Sequence, residues 1–443
     1  MFGISDKSAI KAGMDPIELG FQFKREVHKK ILDRLDRGTT FSRDELSRRV
    51  ETMVDNILEN ERIPDYIEQG RDELKRDILE NILGYGPIEE YLRDNEIDEI
   101  MINTYDQIWI EKYGRLHRTD RRFLDDTHLR LVIERMLRPI GKTVNDLNPY
   151  ADGRLEDGSR INVIIPPLAI DGPLVTIRKF PEEPLTINDL IKKYHSLTAE
   201  LAEFLRIIVR NRKNIVISGG SGSGKTTLLN CLSGFIPADE RIVTIEDSAE
   251  LQLKQPHVGR LETRLPNFEG KGQVDIRDLV RNALRMRPDR IVVGECRGGE
   301  AIDMLQAMNT GHDGSLTTVH ANSPQDVLVR VETMCTMAGL DIPSYALRTQ
   351  IASAVDVIIH ISRLGDGSRK VVKVSELMGL QGQEVLLQDL FEYRKDYISR
   401  EGEILGSLEP TGNLPTFINN VVSNEREVLE KIFISDKMRE YDK

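Results

Sequence analysis

Cysteine is scarce in this sequence: among 443 residues there are three, Cys231, Cys296 and Cys335, widely separated and without a C-x-x-C pair. That spacing excludes a disulfide framework and a four-cysteine zinc site, and a reducing cytoplasm is the compartment it fits. Aromatic residues make up 5%, with a single tryptophan, and basic residues do not dominate, since the net charge is −12. The overall electrostatics therefore give no reason to expect nucleic acid or an anionic membrane as the main ligand. No stretch approaches the run of about 18 apolar residues that crosses a bilayer. The opening MFGISDKSAIKAGMDP also lacks the apolar core of a signal peptide. Any membrane role is expected to be peripheral.

What is present is enough chain for roughly three domains of about 150 residues, with 39% hydrophobic and 30% charged residues to build ordinary cores. Residues 1–80 are rich in charge and in helix formers, and FQFKREVHKKILDRLD and ELSRRVETMVDNILENERIP place apolar residues three and four apart, which predicts a helical module. Residues 81–182 carry β-branched runs (DEIMIN, QIWIEKYGRLHR, SRINVII, PLVTIRKF) bounded by Gly, Asp and Pro, the pattern of a second domain with a mixed sheet. FPEEPLTIND reads as a hinge. In residues 183–443, Leu197, Leu201, Leu205 and Ile208 form one helical stripe. The short apolar segments NIVIS, RIVTIE, RIVVGE, GSLTTVHA and VDVIIHI then alternate with helices. Such alternation predicts an α/β domain with a mainly parallel sheet, followed by a C-terminal helical part.

The segment GGSGSGKTTLLN, residues 219–230, follows the strand NIVIS directly and matches G-x-x-x-x-G-K-[ST] in the required strand–loop–helix setting. Gly219, Gly220, Ser221, Gly222, Ser223 and Gly224 would curl their N–H groups around an anion. Lys225 supplies a point charge for the β and γ phosphates, and Thr226, followed by Thr227, offers a hydroxyl to Mg²⁺. The strand RIVVGE closes on Glu295, a position from which a carboxylate can orient or deprotonate an attacking water. TIEDSAEL brings Glu246, Asp247 and Glu250 to another strand end, where they either hold a metal through water or cap a helix. His320 ends the strand LTTVH, and an imidazole there either senses a γ-phosphate or is structural. Arg277, Arg281 and Arg285 recur every four residues, the pattern of a solvated helix face or of a subunit contact. Arg154, Arg160 and Arg178 stand at strand ends or beside glycines, within reach of an anion.

Taken together, GGSGSGKTTLLN, TIEDSAEL, RMRPDRIVVGECRGGEA and NTGHDGSLTTVHAN resemble the Walker A, Asp box, Walker B and His box of the secretion ATPase superfamily of type II and type IV systems. The closer resemblance is to CpaF-like ATPases of tight-adherence pilus systems, carried also by GRLEDGSRINVIIPPLAIDGPLVTIRKF, and it covers residues 81–430. It implies a PAS-like α/β domain joined to a RecA-like P-loop core, working as a cytoplasmic homo-hexamer on the inner face of the cell membrane. It further implies ATP and Mg²⁺ as cofactors, an inner-membrane platform protein as partner, and no nucleic acid. Glu295 becomes the Walker B carboxylate and Glu246, Asp247 and Glu250 the Asp-box acids, with Thr226, Glu246, Asp247 and Glu295 as metal ligands. His312 and His320 become the His box, and Arg154, Arg160 and Arg178 contact nucleotide. Two departures stand out: the chain cannot build the four-cysteine zinc subdomain of some relatives, and Cys296 and Arg297, not a second acid, follow Glu295. Water activation thus falls to Glu295 alone or is shared with the Asp box. A DNA-translocating or conjugative-transfer ATPase is the competing reading.

Overall fold

The computed structural model describes residues 16–35, 42–60, 63, 70–180, 184–264, 266, 271–400 and 402–434. The chain divides into two compact units, Met1–Glu182 and Glu183–Lys443. The first fifteen residues and the centre of the expected hinge, 181–183, lie outside the described residues. Among the described residues no helix is long and apolar enough to cross a membrane.

The first unit begins with helices α1 (Pro16–Arg34), α2 (Arg43–Asn60) and α3 (Arg71–Leu83). Phe23, Val27 and Ile31 fall four apart, so they share one face of α1, and they pack with Val50, Val54 and Ile57 of α2 and Leu74 and Ile78 of α3. A nearly enclosed ion pair, Lys24 to Asp77 at 2.7 Å, ties α1 to α3. The boundary expected at residue 80 falls inside α3, and the helices are bonded to residues well beyond it. Arg25 donates to the Leu124 carbonyl at 2.6 Å, and Arg135 donates to the carbonyls of Ile82 and Asn81.

After the short helix α4 (Glu89–Arg93) come β1 (Ile97–Thr104), β2 (Gln107–Lys112), β3 (Arg115–Arg118), α5 (Asp126–Leu137), β4 (Tyr150–Arg154), β5 (Arg160–Ile164) and β6 (Leu174–Arg178). The Asp125 side chain caps α5 by accepting from the His128 N–H. The strands form one sheet in the order β3-β2-β1-β6-β5-β4. Every neighbouring pair is antiparallel, where a mixed sheet was expected. The reason is that the connections β1–β2, β2–β3 and β4–β5 are short turns, and only crossovers of a dozen or more residues build parallel pairs. Leu129, Val132, Ile133 and Met136 of α5 cover one face, meeting Ile100, Ile161, Val163, Val175 and Ile177.

The second unit comprises α6 (Ile187–Lys192), α7 (Ala199–Arg210), β7 (Ile215–Gly219), α8 (Lys225–Ser233), β8 (Ile242–Glu246), β9 (Val258–Glu262), α9 (Ile276–Ala283), β10 (Arg290–Cys296), α10 (Glu300–Asn309), β11 (Leu316–His320), α11 (Pro324–Thr336), α12 (Ser344–Ala354), β12 (Val357–Arg363), β13 (Arg369–Gln381), β14 (Glu384–Ile398), β15 (Ile404–Pro410) and α13 (Ser423–Phe433). Among the described residues its nine strands run β15-β14-β13-β12-β7-β11-β10-β8-β9. The pairs from β12 through β9 are parallel and those from β12 to β15 antiparallel. All five expected strands are present. β9 and the meander β13–β15 were not foreseen, and the C-terminal helical part is α13, preceded by strands.

Helices α6, α7, α8 and α13 cover one face of this sheet and α9 to α12 the other. This explains why every residue of β7 and β8 is buried and why they read as unbroken apolar runs. Phe204, Phe391 and Phe433 meet edge-on or tilted, with ring centroids 5.2–5.6 Å apart, and anchor the meander to α7 and α13. At the amino-terminal edge of the sheet, Asn214 uses its full hydrogen-bonding capacity. Its amide donates to the carbonyls of Met308 and Ala354, and its carbonyl accepts from the N–H groups of Gly314 and Ser315. Beside it the fully buried Arg290 pairs with Glu240 and donates to the Gly314 carbonyl. Gly314, at φ +81°, leaves the room that this guanidinium occupies.

Candidate nucleotide site

Because β7, β8, β10, β11 and β12 are parallel neighbours, their carboxyl ends share one edge. In open α/β sheets, ligands bind in the crevice outside that edge. Gly219 ends β7, Glu246 ends β8, Glu295 and Cys296 end β10, His320 ends β11 and Arg363 ends β12. In the ladders, His320 pairs with Gly219. Val293, one residue before Gly294, pairs with Ile245, which brings Gly294 beside Glu246.

The loop itself requires its glycines for two separate reasons. A Cβ on Gly219 would collide with the carbonyl oxygen of Ile361 and the hydroxyl of Ser223, so only glycine lets β12 lie this close. Gly222 and Gly224 adopt φ of +65° and +98°, the left-handed region in which side chains are strained. Lys225 opens α8 and is 8% exposed, and its ammonium donates across the loop to the Gly220 carbonyl at 2.9 Å. The Ser223 hydroxyl donates to the same carbonyl at 2.9 Å. Ser221 is exposed at the loop's tip, while Thr226 and Thr227 sit half-buried in the first turn of α8. A strand end, glycines in left-handed conformation, a lysine over the loop and a helix N-terminus together fit a polyphosphate.

Glu246 is 3% exposed. One carboxylate oxygen accepts from the N–H groups of Glu250 and Leu251, at 2.8 and 3.0 Å, and the other is buried without a partner. Burial pushes its pKa up, against the pull of those two N–H groups. Thus Glu246 and Glu250 are joined through Glu250's backbone, and Glu246 is the inner, half-satisfied acid of the cluster. Asp247 is half-exposed at the edge. Arg297 connects the two strand ends: its guanidinium donates to the Glu295 carboxylate at 2.7 Å and lies 3.7 Å from that of Asp247. The Glu295 carboxylate in turn raises the pKa of Arg297.

Among the described residues no group of three His, Cys, Asp or Glu is placed to hold a metal ion. A Mg²⁺ at this edge would be held by the Thr226 hydroxyl and phosphate oxygens, with carboxylates reaching it through water, the usual habit of an ion that keeps much of its hydration shell. The two His-box histidines are not together. His320 is exposed beside the phosphate loop, whereas His312 precedes β11 at the opposite edge, close to Asn214 and Arg290. Arg277 and Arg281 both donate to the buried carboxylate of Asp303, at 2.7 and 2.8 Å, with Arg277 partly covered and Arg281 half-exposed.

In the first unit, the three arginines singled out from the sequence form a row. Arg154 pairs with Arg160 across β4–β5, and Arg160 with Arg178 across β5–β6, all on the face away from α5. The row ends at Glu99 of β1, 3.5 Å from the Arg178 guanidinium, and Arg154 lies over the Phe180 ring at 5.9 Å. Like charges directly opposite one another destabilise a sheet. Three arginines in register therefore form a surface suited to an anion.

Sequence reasoning passed over Arg363 and Arg369, which approach the phosphate loop from β12 and β13, and it noted Arg297 merely as the place where a second acid is missing. Arg369 lies 147 residues beyond its loop partner Gly222, with Arg363 six residues before Arg369, and no local motif marks them.

The sequence matches the type II/IV secretion system protein family over residues 81–391. The chain belongs to that family. Its curated relatives include a Mycobacterium tuberculosis protein named for conjugal transfer, 37% identical over 310 residues, 68% of this chain and 87% of the relative. They also include the type IV secretion system protein PtlH of Bordetella pertussis, 34% identical over 64% of this chain and 90% of that one. Among solved structures, the VirB11 ATPase of the Brucella suis type IV secretion system, in complex with sulphate, is 30% identical over 66% of this chain and 92% of that chain, with a TM-score of 0.36. The second unit, with its helix-covered parallel strands and the phosphate loop directly after β7, is a RecA-like α/β core.

Proposed function

We propose that this chain is an ATP-hydrolysing motor of a secretion or pilus machine, with its reaction centre at the carboxyl edge of the second unit's sheet. The observation that carries this reading is the juxtaposition of the glycine-cradled loop and Lys225 with the strand-end acids Glu246 and Glu295. The loop N–H groups and Lys225 hold the β and γ phosphates. Glu295, held in place by Arg297, orients the attacking water and accepts its proton. A Mg²⁺ held at Thr226 neutralises charge on the phosphate oxygens when bound. His320 stands next to the loop and is suited to reading the γ-phosphate. Arg154, Arg160 and Arg178 supply a second anion-binding surface from the first unit.

The remaining expectations belong to this proposal. They are the division into a helical module (1–80), a PAS-like domain (81–182) and an ATPase domain (183–443), and assembly as a homo-hexamer. They also include a cytoplasmic position beneath an inner-membrane platform protein and service to a tight-adherence pilus. A second reading, a conjugative-transfer motor, is favoured by relatives that carry that name. Phosphate release by the purified chain tests the core claim. The wild type hydrolyses ATP, Glu295→Gln retains nucleotide but releases none, and Lys225→Ala loses binding. Equal turnover by wild type and Glu295→Gln would remove Glu295 from the chemistry. Acceleration by added single-stranded or duplex DNA would favour the transfer reading over the pilus one.

A further inference from the structure

The last rung of the β12–β13 ladder sets Arg363 directly opposite Arg369, so two permanently charged guanidinium groups stand side by side on adjacent strands. Left to themselves they repel. Both are brought to the phosphate loop. The Arg369 Nε donates to the Gly222 carbonyl at 2.9 Å, and its Cδ lies 3.6 Å from where a side chain at Gly224 would begin. The Arg363 Nη1 lies 3.7 Å from the corresponding point at Gly222. The hairpin that carries them is itself held. The Asp366 side chain accepts from Ser368 within the turn and from the Ile404 N–H at 2.7 Å, and Lys370 donates to the His195 carbonyl at 2.7 Å. Ile361, two residues before Arg363, fills the space beside Gly219 and Gly224.

A trans peptide points its C=O and N–H in opposite directions. By holding the Gly222 oxygen on the hairpin side, Arg369 turns the Ser223 N–H the other way, away from the hairpin. Gly222 is one of the two loop residues in the left-handed region, where the peptide would otherwise reorient most easily. We propose that Arg363 and Arg369 form a cationic brace on the phosphate loop: Arg369 is a positioning residue that aims the Ser223 N–H at the polyphosphate of a nucleoside triphosphate, and Arg363 adds positive charge beside the same anion. The brace rests on the reading of residues 219–227 as a nucleotide site. It adds a function for the β12–β13 hairpin, which the sequence motifs do not mark.

The test is binding of a fluorescent ATP analogue and its ADP counterpart to the full chain, at low and at raised salt. Wild type must bind and Lys225→Ala must not; failure of the wild type to bind refutes the nucleotide reading itself, independently of the brace. With that control met, Arg369→Ala is expected to weaken triphosphate binding about tenfold or more, the scale of one hydrogen bond from a charged donor. Arg369→Lys should recover part of the loss. Arg363→Ala is expected to weaken binding about threefold, to affect triphosphate more than diphosphate, and to flatten the salt dependence, because its contribution is a screened charge. Should Arg369→Ala fold poorly, Arg369→Gln keeps an N–H donor without the charge and is expected to lose less affinity than Ala. Wild-type affinity in Arg369→Ala, or an unchanged salt dependence in Arg363→Ala, overturns the brace while leaving the nucleotide site intact.

Discussion

Acidification should unfold the first unit well before its carboxylates titrate, because two histidines are buried there as neutral rings. His28 of α1 and His128 of α5 meet edge to face with centroids 5.1 Å apart, 8% and 2% exposed. Burial first, then the neighbouring charges, lowers both pKa values to about 4. For His28 the next cause is Arg135; for His128 it is His28 itself. The neutral form of His128 is also fixed by bonding: Nδ1 accepts from the Leu124 N–H and Nε2 faces the Asn81 carbonyl at 3.0 Å. Protonating Nδ1 would leave the Leu124 N–H without an acceptor. In the unfolded chain each ring has a pKa near 6.5, so below that pH the unfolded state binds more protons and stability falls as pH falls, through a window of about 6.5 to 4. At pH 5 the loss is about 2 kcal/mol per histidine, and the pair titrates as one coupled system. With a urea m-value near 2 kcal/mol/M, the midpoint should drop by about 1 to 2 M between pH 7 and pH 5. The assay has a built-in reporter: the only tryptophan, Trp109, lies in β2 of this unit, so its emission follows the first unit and not the second. His128→Gln should remove about half of the pH dependence. A midpoint that moves by less than about 0.3 M on going to pH 5, or NMR titration of either ring near 6.5, refutes the argument.

The nucleotide site and the arginine row carry further expected outcomes. Gly219→Ala drives a methyl group into the Ile361 carbonyl and the Ser223 hydroxyl, and should cost about 1–3 kcal/mol of stability and abolish nucleotide binding, as read by thermal melting with and without ATP. Glu246→Gln keeps an oxygen for the Glu250 and Leu251 N–H groups while removing a buried charge. Because burial raises the carboxyl's pKa, the ionised form weakens the fold above that pKa, and the variant should melt no lower than wild type at pH 8 while hydrolysing far less ATP. A large drop in melting temperature would show that the second oxygen is engaged. Arg297→Ala frees Glu295 and Asp247 from their shared partner, and should lower kcat about tenfold, a fraction of what a positioned base supplies, with nucleotide affinity nearly unchanged. Arg160→Ala takes the middle guanidinium out of the row, and ATP hydrolysis should fall while the Trp109-reported stability changes by less than about 1 kcal/mol. A loss of stability would mean that the row is a structural element.

Those features of the fold that obey short-range rules were legible in the sequence. The parallel strands of the second unit stood out because a strand covered by helices on both faces is a short apolar run. The phosphate loop stood out because glycines in left-handed conformation cannot be replaced. The antiparallel meander β13–β15 escaped notice because its outer strands are half-exposed and heavily charged: EVLLQDLFEYRKDYI places Phe391 in the core and six charged residues along the same strand. The same limit explains the site. Glu246, Glu295 and His320 could be picked out because each ends a recognisable strand. Arg363 and Arg369 could not, since only the pairing of β12 with β7 brings them to the loop. The ion pairs of Arg277 and Arg281 could not be foreseen because their partner, Asp303, comes from another helix. The row Arg154, Arg160, Arg178 was visible only as three separate arginines until strand register aligned them.

Asn214 has a bearing on how the second unit can move. A single amide side chain with no spare donor or acceptor binds together the starts of β7 and β11 and the ends of α10 and α12. Spreading that rim would break four hydrogen bonds of a buried side chain at once, so it resists opening. Amide exchange in this unit should therefore be slowest around Asn214.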